Sequence, residues 1–278
     1  MKKSLRSITD LLKVDDWLGL LINKHFEKDA PEYWAEPNLY IHPSSSSSSC
    51  ERFIELGMLG HRIKSGSSIR RLANGVDTHS RWNTYFEEMG ILVAANYKKK
   101  YTDVSFYIGN ILFDKFNWSG EVDVILTNKN KLYIGEIKSM SSERWDRIPD
   151  QTISFEEMSF KLGQIEKRYV YQLCQYYTIL SRLDSDYTFD PSCFFLFENT
   201  NTQEVKIRWV SFSENFQLET LDKPYKALYN AQRGTLVDPP FDMNSSICKS
   251  CGRKDICFAL QYGSEKEKRI VESRLNGN

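Results

Sequence analysis

Charged residues stand in the middle of two apolar, strand-like runs of this chain. Asp123 lies within residues 122–126, and Glu136 and Lys138 end the run at residues 132–138. A charge inside a strand costs stability unless it has a partner, so these positions require a cation or a substrate nearby. The pattern therefore constrains fold and function together.

The segment between the two runs has turn chemistry. Residues 128–130 read Asn-Lys-Asn, which favours a tight turn. The sequence thus predicts a β-hairpin that brings the carboxylates of Asp123 and Glu136 together. Such a pair can hold a divalent metal ion. The alternative for the same residues is a buried ion pair within a sheet.

Composition narrows the class of protein. The chain has 278 residues, 41% of them apolar, with 37 basic and 37 acidic side chains. This length suits one large domain or a core with appended segments. Because the formal net charge is zero, binding to nucleic acid must come from local basic patches. No apolar window approaches the ~20 residues of a membrane span, so we expect a cytoplasmic or otherwise intracellular protein.

Three cysteines crowd into a C-x2-C-x5-C spacing: Cys248, Cys251 and Cys257. Such crowding without a signal peptide favours a metal centre over disulfides. Three thiolates leave a tetrahedral site or a cluster one ligand short, and Cys50 is the candidate for the fourth. Cys174 and Cys193 lie in apolar surroundings that suit buried thiols. The alternative is a tail with three unliganded cysteines.

Periodicity divides the chain coarsely. Helices are predicted before the sheet and over residues 155–183, with a break or bend near Gly163. Two strands at 193–197 and 205–210 precede another helix at 214–232. The serine run at 44–49 has linker composition, but it leads directly into a helical pattern, so we interpret it as a helix start.

Four motifs in this order resemble the RecB-type branch of the PD-(D/E)xK nucleases. They are Gly75-x3-His79, Gly120-x2-Asp123, Glu136-x-Lys138 and Gln172-x3-Tyr176. The resemblance implies an α/β (α+β) fold of restriction-endonuclease type, in which helices flank a mixed central sheet. Ser80 departs from the family pattern, which often has an acidic residue after the histidine.

The resemblance extends to the cysteines. Iron–sulfur members of this branch, including the CRISPR-associated RecB-like adaptation nucleases and the AddB nuclease domain, place one cysteine upstream of the core and three downstream. Cys50 is similar to the upstream one, although Glu51 replaces the usual proline. A [4Fe–4S] cluster would then join the N- and C-terminal segments, with Zn²⁺ as the alternative occupant. The implied divisions are a helical extension (1–43), a nuclease domain (44–258) and a charged tail (259–278).

The resemblance also implies roles for individual residues. Those in catalysis would be Asp123, Glu136, Lys138, Gln172 and Tyr176. Mg²⁺ or Mn²⁺ would be held by His79, Asp123, Glu136 and the main-chain carbonyl of Ile137.

The implied function is a metal-dependent deoxyribonuclease. We expect an exonuclease on DNA that is single-stranded or has single-stranded ends, in repair, recombination, CRISPR adaptation or viral DNA processing. One alternative is a non-catalytic DNA-binding adaptor of a helicase or CRISPR integration complex. Another is a structure-specific endonuclease.

Overall fold

The computed structural model describes residues 35–61, 66–95, 117–120, 122–149, 155–182, 188–262 and 265–275. Its centre is a five-stranded sheet with helices on both faces. The predicted α+β class, with a mixed sheet flanked by helices, is confirmed. Most of the predicted N-terminal extension, residues 1–34, lies outside the described residues.

The strands lie side by side in the order of the sequence. They are β1 (Leu92–Ala95), β2 (Val124–Asn128), β3 (Lys131–Met140), β4 (Ser192–Asn199) and β5 (Val205–Ser211). Neighbouring strands are antiparallel, except that β3 and β4 are parallel. A parallel pair needs a long crossover, and the connection between β3 and β4 contains a helix of 26 residues.

The helices of the described segments are α1 (Pro43–Ser46), α2 (Glu51–Met58), α3 (Gly66–Glu88), α4 (Ser142–Trp145), α5 (Phe155–Leu180), α6 (Glu214–Gln232), α7 (Ser246–Lys249), α8 (Lys254–Tyr262) and α9 (Glu265–Leu275). Helix α3 packs on one face of the sheet, where Phe86 meets Val124 and Ile137. Helices α5 and α6 pack on the other face. In these segments, no helix is long and apolar enough to cross a membrane.

Helix α5 is unbroken. It continues through Gly163, where the sequence predicted a break or bend. The apolar residues Val170, Leu173 and Cys174 of its second half are fully buried against the sheet, and this packing offsets the low helix propensity of one glycine.

The serine run is packed structure, as we interpreted it. Pro43 opens α1, and Cys50 is the N-cap of α2. Ser46 is buried and donates a hydrogen bond to Gln175 Oε1 at 2.9 Å. The run therefore fixes the N-terminal segment against α5.

The predicted hairpin of β2 and β3 is confirmed. Lys129 and Asn130 form its turn with φ of 50° and 65°, the left-handed conformation that two-residue hairpin turns require. The strand pairing ends at Val124 and Gly135, so the next residues in the same register are Asp123 and Glu136. The hairpin thus sets the two acids opposite each other.

Gly135 makes close contact between neighbouring strands possible. A methyl group at this position would lie 2.1 Å from Phe194 Cζ, and Phe194 is itself buried. We expect Gly135→Ala to lower the free energy of unfolding by about 1–3 kcal/mol, because the ring must shift in a packed core. Urea denaturation measures the change.

Gly75→Ala is the matched control. Nothing lies within 4 Å of a methyl group at this helical position, so the variant should be about 0.5–1 kcal/mol more stable than the parent. Equal stability of the Gly135→Ala variant and the parent would show that the strands do not pack as described.

Candidate functional site

Asp123 is fixed at the end of the hairpin. Its Oδ2 atom accepts a hydrogen bond from the main-chain N–H of Ile137 at 2.9 Å, and the residue is 4% exposed. Gly120 lets the preceding loop approach closely, since a methyl group there would lie 2.9 Å from Pro43 Cδ and 3.1 Å from Tyr176 Oη. The glycine of the Gly-x2-Asp motif thus allows the packing that leads into Asp123.

Glu136 and Lys138 lie two residues apart on β3 and therefore project to the same face of the sheet. Lys138 Nζ donates a hydrogen bond to Glu136 Oε1 and lies 3.5 Å from Asp123 Oδ2. Glu136 is fully buried, and its Oε2 atom has no hydrogen-bond partner among the described residues. One ammonium group therefore faces two carboxylates, and a buried acceptor is left unmatched.

Burial and charge shift the ionisation of this group. Burial, with the neighbouring Asp123 carboxylate adding to it, raises the pKa of Glu136 to about 8, although Lys138 opposes the shift. Burial works against the charge of Lys138, but Asp123 and Glu136 outweigh it and raise the pKa of the ammonium above its ordinary value. Lys138 is accordingly a cation at neutral pH and not a base.

His79 joins the group from α3. Its Nε2 donates to the carbonyl oxygen of Ile137 at 3.0 Å, and its Nδ1 lies 3.5 Å from Asp123 Oδ1. The Ile137 carbonyl therefore points to the side of the strand where the imidazole lies. The structure brings together all four groups that the sequence predicted as ligands of a divalent metal: two carboxylates, one imidazole and one carbonyl.

A buried carboxylate anchors α3 next to His79. Glu198 on β4 is 3% exposed and accepts hydrogen bonds from both Arg81 and Trp82, the latter at 2.6 Å. Arg81 and Trp82 follow His79 by two and three positions, so the two contacts restrain the helical turn that carries the imidazole. The sequence gives no sign of this pairing, because more than one hundred residues separate the partners.

Helix α5 packs against β3, the strand that carries Glu136 and Lys138. Gln172 and Tyr176 are buried on it, but no hydrogen bond between described residues joins Gln172 to Asp123 or Glu136. Gln175, between them, is structural, since its Nε2 donates to the main-chain oxygen of Thr220 at 2.8 Å. Both candidate residues thus lie on α5, and their part in catalysis stays a prediction.

Tyr169 is a site residue that the sequence interpretation missed. Lys138 Nζ lies 5.1 Å from the centre of its ring, which is within the range of a cation–π contact. The available signal was its position three residues before Gln172, on the same helical face.

The four predicted cluster cysteines lie in or beside three helices, α2, α7 and α8, toward the two ends of the described chain. Cys50 caps α2, Cys248 lies in α7, Cys251 follows α7, and Cys257 lies in α8. Burial raises the pKa of Cys257 to about 12, and the other three thiols add to the shift. Burial also raises the pKa of Cys50, with added repulsion from Cys251 and Cys248. Cys50 and Cys257 thus each lie near Cys248 and Cys251.

Polar contacts hold the two cysteine-bearing segments together. Arg253, which is 6% exposed, donates to the main-chain oxygens of Phe53 at 2.7 Å and His61 at 2.9 Å. A further contact joins the same segments: the buried Glu55 of α2 accepts a hydrogen bond from Val237 N at 3.0 Å. Buried charges need such partners, so these contacts specify how α2 meets the C-terminal segment.

Within the described ranges, no group of three or more His, Cys, Asp or Glu side chains stands in position to hold a metal ion. At the acids, the ammonium of Lys138 lies close to both carboxylates. At the cysteines, the raised pKa values of Cys50 and Cys257 favour protonated thiols, whereas ligation requires thiolates. Metal binding at either place therefore requires movement of the donors, together with displacement of the ammonium or loss of protons.

The raised pKa of Glu136 predicts how stability changes with pH in metal-free buffer. Between pH 4.5 and about 8, the folded protein holds a proton on Glu136 that the unfolded chain has lost. The free energy of unfolding is therefore highest at the acidic end of this window. It falls by about 1 kcal/mol per pH unit as the pH rises. Urea denaturation at pH values of about 5, 6, 7 and 8 measures the slope.

Two variants test the assignment of that slope. Glu136→Gln should remove most of it, because the amide does not titrate. Glu143→Gln, whose side chain is 79% exposed, should keep the parent's slope. An unchanged slope in Glu136→Gln would show that another group titrates in this range.

Comparisons with known proteins add little. No family model matches the chain, and no curated protein sequence matches it. Among solved structures, the crystal structure of SSO0001 is similar, with a TM-score of 0.34 and 12% identity, over 86% of this chain and 96% of that chain. A likeness of this degree carries no argument about function.

Proposed function

We propose that residues 44–258 form a RecB-like, metal-dependent nuclease that hydrolyses phosphodiester bonds of DNA. We further propose that it acts as an exonuclease on single-stranded ends. The observation that carries the proposal is the meeting of Asp123, Glu136 and Lys138 with His79 and the Ile137 carbonyl at one end of the β2–β3 hairpin.

The donor types suit a divalent cation, and the donors would move to enclose it. Two carboxylates and a carbonyl supply the hard oxygen ligands that Mg²⁺ prefers, and the imidazole makes the site suitable for Mn²⁺ as well. Glu136 Oε2 is buried without a hydrogen-bond partner among the described residues, so it can accept a metal ion once Glu136 has lost its proton. A bound ion there would supply Lewis-acid stabilisation of the scissile phosphate and would lower the pKa of an attacking water.

The side chains of the site have separate roles in the proposed reaction. Asp123 is oriented by the N–H of Ile137, and the restrained turn of α3 holds His79 beside it. Lys138 keeps its proton, so its role is to stabilise negative charge on the phosphate oxygens in the transition state. Asp123 and Glu136 are both buried, and exclusion of water strengthens these electrostatic interactions.

We propose a [4Fe–4S] cluster for Cys50, Cys248, Cys251 and Cys257. Support comes from the proximity of the other thiols to Cys50 and Cys257 and from the buried Arg253, which joins the two segments. Four cysteines suit either a cluster or Zn²⁺, and the ratio of iron to zinc in anaerobically purified protein separates the two. The role would be structural, because phosphodiester hydrolysis requires no redox step.

The function is tested with linear single-stranded DNA labelled at either end, blunt duplex DNA and circular single-stranded DNA, in Mg²⁺ or Mn²⁺. We expect cleavage of the linear single strand, and little cleavage of the circle. Cleavage of the circle would identify an endonuclease. Metal-independent binding of DNA without cleavage would overturn the nuclease proposal and favour an adaptor.

A matched pair of variants assigns any cleavage to the proposed site. Asp123→Asn should be inactive, whereas Asp222→Asn, in an exposed ion pair on α6, should cleave like the parent. Loss of activity in both variants would point to a general effect of the substitutions.

A further inference from the structure

The ammonium of Lys138 has two kinds of partner. On one side it contacts the carboxylates of Glu136 and Asp123. On the other side it lies 5.1 Å from the ring centre of Tyr169 on α5. The lysine side chain is 18% exposed, so little water is available to replace either partner.

A divalent cation and the ammonium compete for the same carboxylates. When the cation binds, Lys138 loses its ion pairs and meets a second positive charge. The ring of Tyr169 is then the contact that still favours the ammonium near the site, since the negative face of an aromatic ring attracts a cation within about 6 Å. The contact with the ring therefore contributes more to holding the ammonium once the metal ion occupies the carboxylates.

We propose that Tyr169 is a positioning residue that retains the Lys138 ammonium beside the site after a divalent cation has taken the two carboxylates. The inference rests on the proposed function, because it requires a metal site at Asp123 and Glu136. It assigns to the aromatic ring, and not to the hydroxyl, the work of keeping the lysine where a phosphate would be bound.

The test is a double-mutant cycle in Mn²⁺ affinity, measured by calorimetry and by electron paramagnetic resonance on the full chain at one fixed pH. Tyr169→Leu should weaken Mn²⁺ binding about three- to tenfold, because the ring stabilises the ammonium more strongly after its displacement from the carboxylates than while it is paired with them. Tyr169→Phe keeps the ring and should bind like the parent. Lys138→Met should bind Mn²⁺ more tightly than the parent, because no ammonium competes.

The decisive comparison is Tyr169→Leu in the Lys138→Met background. We expect no further change in affinity there, because the ring acts through the lysine. An equal loss in both backgrounds, or a loss in Tyr169→Phe as large as in Tyr169→Leu, would overturn the inference and show an ordinary packing role.

Two further results separate this inference from the proposed function. Arg168 also lies over the Tyr169 ring, at 5.4 Å, but it is exposed, so Arg168→Met should leave the Mn²⁺ affinity unchanged. If the parent binds Mn²⁺ and Tyr169→Leu binds it equally well, the inference alone fails. If the folded parent binds no Mn²⁺ at all, the metal site fails, and the inference fails with it.

Discussion

Substitution of Lys138 by methionine is expected to reduce kcat for DNA cleavage by about 100- to 1000-fold while the protein still binds its divalent cation. Methionine keeps much of the length and apolar character of lysine but removes the charge. In the parent, the ammonium stays protonated beside two acids, so in the proposed reaction it would stabilise charge that develops on the phosphate. An interaction made only in the transition state lowers kcat when it is lost, with little change in KM.

Lys226→Met is the control for that substitution. Lys226 is also paired with an aspartate, Asp222, but both side chains are 60% exposed. Its removal should change neither kcat nor Mn²⁺ affinity. If Lys138→Met kept the parent's kcat under saturating metal, Lys138 would be a structural counter-ion of the buried acids, and its assignment to catalysis would be wrong.

Replacing Cys248 by alanine is expected to remove the proposed iron–sulfur cluster and much of the soluble protein together. The cysteine is buried in α7, and a cluster ligated by both segments would contribute its binding energy to folding. Loss of one ligand should therefore lower bound iron and sulfide per chain to near zero. Iron, sulfide and visible absorption of anaerobically purified protein measure the effect.

Cys174→Ala is the matched control for the cluster. Cys174 is fully buried in α5, so its substitution also removes a buried thiol. This variant should lose some stability but keep the parent's iron content. If Cys248→Ala kept its iron and its visible absorption, Cys248 would not be a ligand, and the assignment of four cysteines would be wrong.

The position of the acids could be predicted because local signals agree. An Asn-Lys-Asn turn between two strand-like runs defines a hairpin, and the period of two along a strand puts Glu136 and Lys138 on one face. Pairing of Val124 with Gly135 then fixes Asp123 opposite Glu136. Each step depends on residues near one another in the sequence.

Contacts between distant segments could not be predicted in the same way. The sequence shows Glu198 as an ordinary charge at the end of a strand. In the structure it is buried and accepts hydrogen bonds from Arg81 and Trp82 of helix α3. Gly163 predicted a break in α5 because the low helix propensity of glycine was the only signal at that position. In the structure the helix continues, and its second half packs on the sheet. Tyr169 was missed because its significance depends on where the tip of Lys138 lies.

The cysteines illustrate both cases. The spacing of Cys248, Cys251 and Cys257 is a local signal for a metal centre. The choice of Cys50 as the fourth ligand rested on elimination and on family resemblance. In the structure, Cys50 lies near enough to Cys257 to add to the raised pKa of that thiol, and Arg253 joins the segments that carry them.

The most direct test of the proposed nuclease is a single Mn²⁺ titration in which metal binding and cleavage of end-labelled single-stranded DNA are followed on the same samples. The parent and Asp123→Asn are compared at equal iron content. We predict that binding and cleavage by the parent rise together with the same half-saturating Mn²⁺ concentration, and that Asp123→Asn loses both. Cleavage by Asp123→Asn at the parent's rate, or a parent that binds Mn²⁺ and DNA but cleaves nothing, would contradict it.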